Sequence, residues 1–417
     1  MTMAKGFGNS PENSNPKRIY GSILLVAGTS IGAGMLALPI TTGVGGYGYT
    51  LVLFLVCFLF MLLSLFLLLE ATLWVSKPSA NFVTIAKERL GYAGQIVAWF
   101  GFLLLLYAVA AAYLLGGGSL LMRVLPVSYQ ALLPAQLGIL VFALLFGLLV
   151  FFGTRYIDYI NRILMIGLLT AYVILVILVI PSLQSHNLAS GQPRYLWAAI
   201  PVVVLSFTSH IILPSLRTYL HGDVKALTKV LWYGSLIPLA FYILWQTVIL
   251  GVVPYSNLLI LATSEHPVAE LTKVLQGNLG LTWIAITVSY FSFFALTTSF
   301  VGVILSLSDF LADGFSIKKN ITGRLLVLSQ TILPPLLFAL FFPHGFIIAL
   351  SYAGVLVAIL FGILPVLMVW RGRYVEKLES AFRVPGGKPV LLVALAGSCL
   401  VIILQLAAVF ECLPVPG

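Results

Sequence analysis

The chain has 417 residues, of which 61% are hydrophobic and 8% charged, with a formal net charge of +10. A soluble fold is about 45–50% apolar and about 25% charged, and no soluble domain arrangement of this length hides so much apolar surface. That composition excludes a disordered chain, a nucleic-acid-binding module and a secreted disulfide scaffold, and it makes lipid the solvent for most of the sequence. Cys57, Cys399 and Cys412 are too few and too widely spaced for a zinc site or a disulfide framework. Net positive charge then belongs to short loops that orient the chain in a bilayer, not to a phosphate backbone.

The N-terminal tail, residues 1–19, carries Lys5, Lys17 and Arg18 ahead of an apolar run. The run is too long for a signal-peptide core and lacks a clear small-residue cleavage site, so it reads as a retained first helix. A span needs about 20 mainly apolar residues. Eleven such runs follow: 20–42, 49–70, 95–122, 131–152, 160–182, 195–217, 227–250, 281–308, 325–342, 346–370 and 389–412. Backbone groups in lipid must bond within their own segment, so these are helices. With the N-terminus cytoplasmic, all of the 22 Lys and Arg fall on the cytoplasmic side except Arg123, Arg194 and Lys273. That alternation supports eleven spans and an external C-terminus. Residues 79–91 and 258–276 read as short amphipathic helices, one on each side, lying on the membrane surface or acting as part of a gate.

Two spans are interrupted. Helix 1 carries Gly28, Thr29, Ser30, Ile31, Gly32, Ala33 and Gly34 at mid-depth, with Pro39 a turn later. Each glycine costs about 1 kcal/mol of helix stability against alanine. Close packing through a Gly28-xxx-Gly32 face is the simpler explanation for helix 1 alone. Helix 6 carries Ser206, Thr208, Ser209 and His210 at mid-depth, between Pro201 and Pro214. Two interrupted helices five spans apart point to a transporter site between two halves, residues 20–182 and 195–370, the second inverted, with helix 389–412 left over. Free N–H groups at one half-helix start attract a carboxylate, and free carbonyls at another's end attract an ammonium. A zwitterionic amino acid needs both. His210 is the ionisable side chain nearest a helix centre, whereas Glu70, Asp309 and Glu411 lie near span ends.

Enzyme chemistry finds no support. Ser209 and His210 are adjacent and point about 100° apart on a helix, so they make no nucleophile–base pair. No hydrolase elbow, metalloprotease or phosphate-loop motif occurs. A channel, an intramembrane enzyme or an accessory subunit leaves the matched breaks unexplained.

The segments VAGTSIGAGMLALP (26–39), LLLE (67–70), LYAVAAAYLLGGG (106–118), SFTSHIILPSL (206–216), TTSFVGVILSLSDFLAD (297–313), LPPLLFALFFPHGF (333–346), SYAGV (351–355) and FRVPGGKP (382–389) together resemble the hydroxy and aromatic amino acid permeases of the amino acid–polyamine–cation superfamily. The resemblance runs from Arg18 to Pro416. It implies a leucine-transporter-like five-plus-five inverted repeat plus one helix, and cation-driven uptake of an aromatic amino acid, tyrosine first and tryptophan second, across a bacterial inner membrane. A broader neutral amino acid permease or exchanger, or a non-transport membrane subunit, is the alternative.

Matching motif positions implies a carboxylate at the N–H groups of Gly32, Ala33 and Gly34. It implies an ammonium at carbonyls near Ala27, Gly28, Ser206 and Phe207, with Phe207 covering the site. Tyr107 is expected to supply a side-chain contact and His210 to touch the substrate ring or hydroxyl; ordinary packing is the alternative for both. For coupling, the superfamily's helix 5 lysine is absent here, and Leu168 stands at the aligned place. Ala295, Thr298 and Ser299 share one helix face at i, i+3 and i+4. With the carbonyls of Gly28 and Ile31 they offer five neutral oxygens, resembling a sodium site of the superfamily. The simpler alternative is that both hydroxyls bond back to their own helix. Sodium is therefore the first expectation, and a proton, favoured by the family, the second. No other cofactor is expected.

Overall fold

The computed structural model describes residues 16–414 except 33, 76, 78–79, 125–132, 135, 150–153, 280–281 and 318–319. All regular structure among the described residues is helical. The first span is two helices, α1 (Pro16–Ser30) and α2 (Gly34–Thr42), meeting at 50°. Then follow α3 (Tyr47–Leu73), α4 (Phe82–Val124), α5 (Gln136–Gly147) and α6 (Thr154–Val179). The sixth span is again split, into α7 (Ile200–Ser206) and α8 (Leu213–Tyr219). After it come α9 (Val224–Val252), the short α10 (Tyr255–Thr263) and α11 (Pro267–Leu279), then α12 (Thr282–Gly314) and α13 (Ile321–Phe341). The last two are α14 (Phe346–Val375), which contains π-helical turns at Ala358–Ile363 and Arg371–Val375, and α15 (Gly387–Val409).

Nine helices among the described residues are long and apolar enough to cross a membrane, and the bent pair α1–α2 makes a tenth. Ten of the eleven runs expected from sequence are matched in this way. The run at 131–152 contains α5, an apolar helix of 12 residues whose flanks lie partly outside the description. Large apolar side chains such as Leu24, Leu104, Ile166 and Ile403 face outward, as they do against lipid. The chain is a multi-pass membrane protein.

The two amphipathic segments are present. The first forms the start of α4 and turns into the span at Gly91, whose φ of +73° only glycine adopts without strain. The second is α10 and α11. Asp223 accepts from the Ala226 amide at 3.1 Å and Asn320 from the Gly323 amide at 2.7 Å, so each caps the helix that follows it.

At the end of the bundle rich in Lys and Arg, α3 is bound to the segment after α14. Glu70, fully buried, accepts from Arg373 Nε at 2.6 Å, from Arg373 Nη2, and from the Val384 amide at 2.8 Å. Arg373 also donates to the Val384 carbonyl at 2.8 Å, and Trp74 Nε1 to the Glu379 carbonyl at 3.0 Å. Glu70 is therefore held by a guanidinium and a backbone amide.

Around the centre, α1 packs on α9, α6 on α12, α4 on α12 and α14, and α7 on α14 and α2. These contacts bring the two split spans side by side.

Candidate functional site at the two broken helices

In the first split span the Ile31 amide still donates to the Ala27 carbonyl at 2.9 Å, but the helix stops at Ser30 and restarts at Gly34. In the second, α7 stops at Ser206, and Phe207, Thr208 and Ser209 are non-helical before a 3-10 turn over His210–Ile212. Pro201 and Pro214 both lie in the first turn of a helix, where a missing N–H costs nothing. They mark where each half-helix starts.

The two breaks touch. The Ser30 hydroxyl donates to the Thr208 carbonyl at 3.4 Å. A Cβ built on Gly34 would lie 2.9 Å from Ser206 Oγ, and one on Gly32 would lie 2.7 Å from Ser299 Oγ. The glycines thus serve close packing, but against α7 and α12 rather than as the Gly28–Gly32 face of a helix pair. The hydroxyl of Tyr242 on α9, a fully buried residue, stands 2.6 Å from the Ser30 carbonyl and 2.9 Å from the Ser206 carbonyl. These are the last residues of α1 and α7, so two helix C-termini, each with partial negative charge, meet at one point. The buried N-terminus of α2, with its partial positive charge, begins a few residues further along the chain, its Met35 amide donating to the Gly32 carbonyl at 3.0 Å. Positive and negative half-helix ends lie close together, without a formally charged side chain being needed.

The expected site residues fall into three groups. Gly32, Gly34, Ser206 and Phe207 stand at the breaks, and Ala33 lies outside the described residues. Phe207 packs edge-on against Phe54, Phe58 and Tyr242, at ring separations of 6.2, 6.0 and 5.3 Å. His210 is buried and stacks on Phe361 of the first π-helical turn at 5.0 Å; neither of its ring nitrogens has a hydrogen-bond partner among the described residues. An unpaired buried polar group is costly, so a ring in this state is poised for a polar partner.

The Ala27 carbonyl accepts from the Ile31 amide at 2.9 Å, as in an ordinary helix turn, and the carbonyls that converge are those of Ser30 and Ser206. One expectation needs correction. Tyr107 is not at the breaks: its hydroxyl donates to the Gln330 carbonyl of α13 at 2.8 Å, and its ring packs with Leu106, Leu307 and Leu311. The tyrosine of α4 that reaches the first break is Tyr113, which hydrogen-bonds Ser299. Six residues turn a helix by about 600°, so the two rings leave different faces. Tyr242 and Tyr113 were not anticipated. Their one signal was a phenol inside an apolar run, where a buried O–H needs a partner.

Three of the five oxygens expected to hold sodium, those of Ala295, Thr298 and Ser299, have protein partners. Ser299 donates to the Ala295 carbonyl at 2.7 Å, as the back-bonding alternative requires. Thr298 donates to Met165 Sδ at 3.3 Å, and Met165 Cε lies 3.7 Å from where a Cβ on Gly28 would be. A thioether on α6 therefore stands between α1 and α12. Leu168, the residue aligned to the superfamily lysine, is buried a turn further on. Ile31 is buried. Sulfur is a soft ligand, and hard cations prefer oxygen.

A cavity of about 220 Å³ lies at the opposite end of the bundle from the Glu70–Arg373 pair, lined by Leu115, Ser119 and Arg123 of α4 with Ile139, His266 and Ala269. Arg123 donates to the Ala269 carbonyl of α11, so α11 is fastened over it. Burial lowers the pKa of His266 below its ordinary value; Glu265 opposes this and His344 adds to it. The unfolded chain then takes up this proton before the folded one, so stability is expected to fall as pH drops through about 6.5. His266→Gln should flatten the change in detergent melting temperature between pH 7.5 and 5.5. An unchanged slope would show that other groups set it.

Against known sequences, the profile of the tryptophan/tyrosine permease family matches residues 15–405. The tyrosine-specific transport system 2 of Haemophilus influenzae is 35% identical over 401 residues, covering 95% of this chain and 98% of that protein. Tyrosine-specific transport system 1 of the same organism is 38% identical over 381 residues, covering 91% and 94%. The tryptophan-specific transport protein of Pseudomonas aeruginosa is 33% identical over 396 residues, covering 93% and 94%. These relatives are transport proteins rather than enzymes, and a membrane chain built on two facing helix breaks agrees with that. The chain belongs to the tryptophan/tyrosine permease family.

Proposed function

We propose that this protein imports an aromatic amino acid, tyrosine first and tryptophan second, across a bacterial inner membrane by alternating access in symport with a proton. The observation that carries the reading is the convergence of the α1 and α7 C-termini beside the N-terminus of α2. It offers an ammonium two carbonyls and a carboxylate the positive end of α2. The matching breaks in the first and sixth spans support a five-plus-five inverted repeat of eleven spans, with α15 outside it and the N-terminus cytoplasmic. The relatives named for tyrosine and tryptophan supply the aromatic side chain. The unpaired imidazole of His210, beside the second break, is suited to the phenol or indole N–H that phenylalanine lacks. For coupling, the Met165 thioether between Gly28 and Thr298 speaks against sodium. Glu70 is bound by Arg373 and the Val384 amide, and among the described residues His210 is the imidazole beside the second break.

The test is uptake by purified protein in liposomes with pH and sodium gradients imposed separately. Tyrosine uptake should follow the pH gradient and ignore sodium, with phenylalanine a weak competitor. His210→Leu should lower the preference for tyrosine over phenylalanine by about 5- to 150-fold, the cost of about 1–3 kcal/mol for leaving the buried phenol unpaired. Uptake that needs sodium at fixed pH would refute proton coupling. Counterflow of alanine or leucine with no competition from tyrosine or tryptophan would refute the substrate class.

A further inference from the structure

We infer that the Tyr242 hydroxyl is the donor that stands in for the substrate ammonium when the carrier returns empty. The inference rests on the proposed transport of an amino acid through the two breaks. Tyr242 sits on α9, which belongs to neither broken span, yet its one hydroxyl is within hydrogen-bond distance of the last carbonyl of α1 and the last carbonyl of α7. A phenol has a single proton to donate, so the two acceptors share it. The ring is held by Phe207 of the second break at 5.3 Å and has no exposed surface. Ser30 and Ser206 are themselves buried, so neither carbonyl has water as a ready substitute.

An ammonium carries three N–H donors and can satisfy both carbonyls at once. A carrier that moves substrate in one direction must come back without it, and it must then bury the same two carbonyls. Leaving both unpaired would raise the barrier for the empty carrier alone, because the loaded one brings its own donors. The Tyr242 hydroxyl removes that penalty. It also ties the ends of two half-helices to a third helix, so the breaks keep their relative position while the site is empty. Tyr242 is thus a positioning residue whose effect is confined to one half of the cycle.

The experiment compares two modes in the same liposomes, with radiolabelled tyrosine as the probe. Net uptake requires the empty carrier to return. Exchange, with tyrosine saturating on both sides, does not. Tyr242→Phe keeps the ring and its contact with Phe207 but deletes the proton. It should cut net uptake at least about tenfold and leave exchange within about twofold, tenfold being the kinetic equivalent of about 1.4 kcal/mol. Retained exchange is itself proof that the variant is folded. Tyr172→Phe removes another phenol–carbonyl bond, to the Phe241 carbonyl at 3.2 Å, and should leave the ratio of the two modes unchanged. If Tyr242→Phe does not fold, judged by its melting transition in detergent, 4-aminophenylalanine at position 242 keeps an N–H donor at the para position and should preserve the wild-type ratio; a changed ratio would overturn the inference. Equal losses in both modes, or no loss in either, would overturn the inference while leaving the proposed function standing. Absence of tyrosine exchange by the wild-type protein would overturn the proposed function, and the inference with it.

Discussion

Replacing Arg373 by leucine is expected to destabilise the folded protein by about 3–5 kcal/mol, the usual cost of stripping one partner from a buried ion pair. Glu70 and Arg373 have almost no exposed side-chain surface. Removal of the guanidinium would leave the carboxylate with the Val384 amide as its one remaining partner among the bonds described here, and would free the Val384 carbonyl as well. The segment containing FRVPGGKP would then lose its main attachment to α3. Thermal unfolding in detergent, or loss of binding-competent protein with time, reads the effect. The double variant Glu70→Leu with Arg373→Leu should recover more than half of the loss, because it removes the buried charge along with its partner. A single Arg373→Leu variant as stable as wild type would show that water reaches the pair. The prediction matters for function too. A carboxylate fixed by three hydrogen bonds is a staple between α3 and α14 rather than a proton carrier.

Gly34→Val should abolish substrate binding, and the reason lies in two separate contacts. Gly34 is the first residue of α2, so its amide faces the position proposed for the carboxylate. A Cβ there would also meet Ser206 Oγ at 2.9 Å and Ser206 Cα at 3.7 Å, so the two breaks would be forced apart. Overpacking of this kind costs about 1–3 kcal/mol, enough to weaken the protein without unfolding it. The two contributions separate with Gly34→Ala and a partner change. Ser206→Ala removes the oxygen that clashes and leaves a Cβ at 3.5 Å, an ordinary contact. The pair Gly34→Ala with Ser206→Ala should therefore regain the melting temperature of the wild type, yet bind tyrosine at least about tenfold more weakly, because a methyl group still crowds the anion's approach. Full recovery of binding in the pair would mean that Gly34 serves packing only.

Lipid made most of the fold legible. A bilayer demands about 20 apolar residues per helix and forbids unpaired backbone, so runs such as 49–70 and 227–250 could be taken straight to helices. The same constraint exposed both breaks, because glycines, hydroxyls and prolines at mid-depth are otherwise disfavoured. Residues 28–34 and 206–210 were therefore found by composition alone. The two amphipathic segments followed from their charge pattern.

What composition and spacing could not decide is which face of an unbroken helix turns toward the breaks. Most mid-span positions on α4, α6 and α9 are apolar enough to face either lipid or protein, so the rotation of each helix is settled by its neighbours. That is why Tyr107 was chosen where Tyr113 is the residue at the first break, and why Leu168 drew attention where Met165 fills the gap beside Gly28. Tyr242 meets a carbonyl 212 positions away and another 36 positions away, and Arg373 meets a carboxylate 303 positions away. No local pattern carries such pairings. The sequence by itself determined a polytopic helical chain with two weakened spans, because the cost of polar backbone in lipid acts residue by residue. The tertiary structure alone decided that the two weakened spans meet, and that one phenol joins their ends, because close packing acts between helices that the chain order keeps apart.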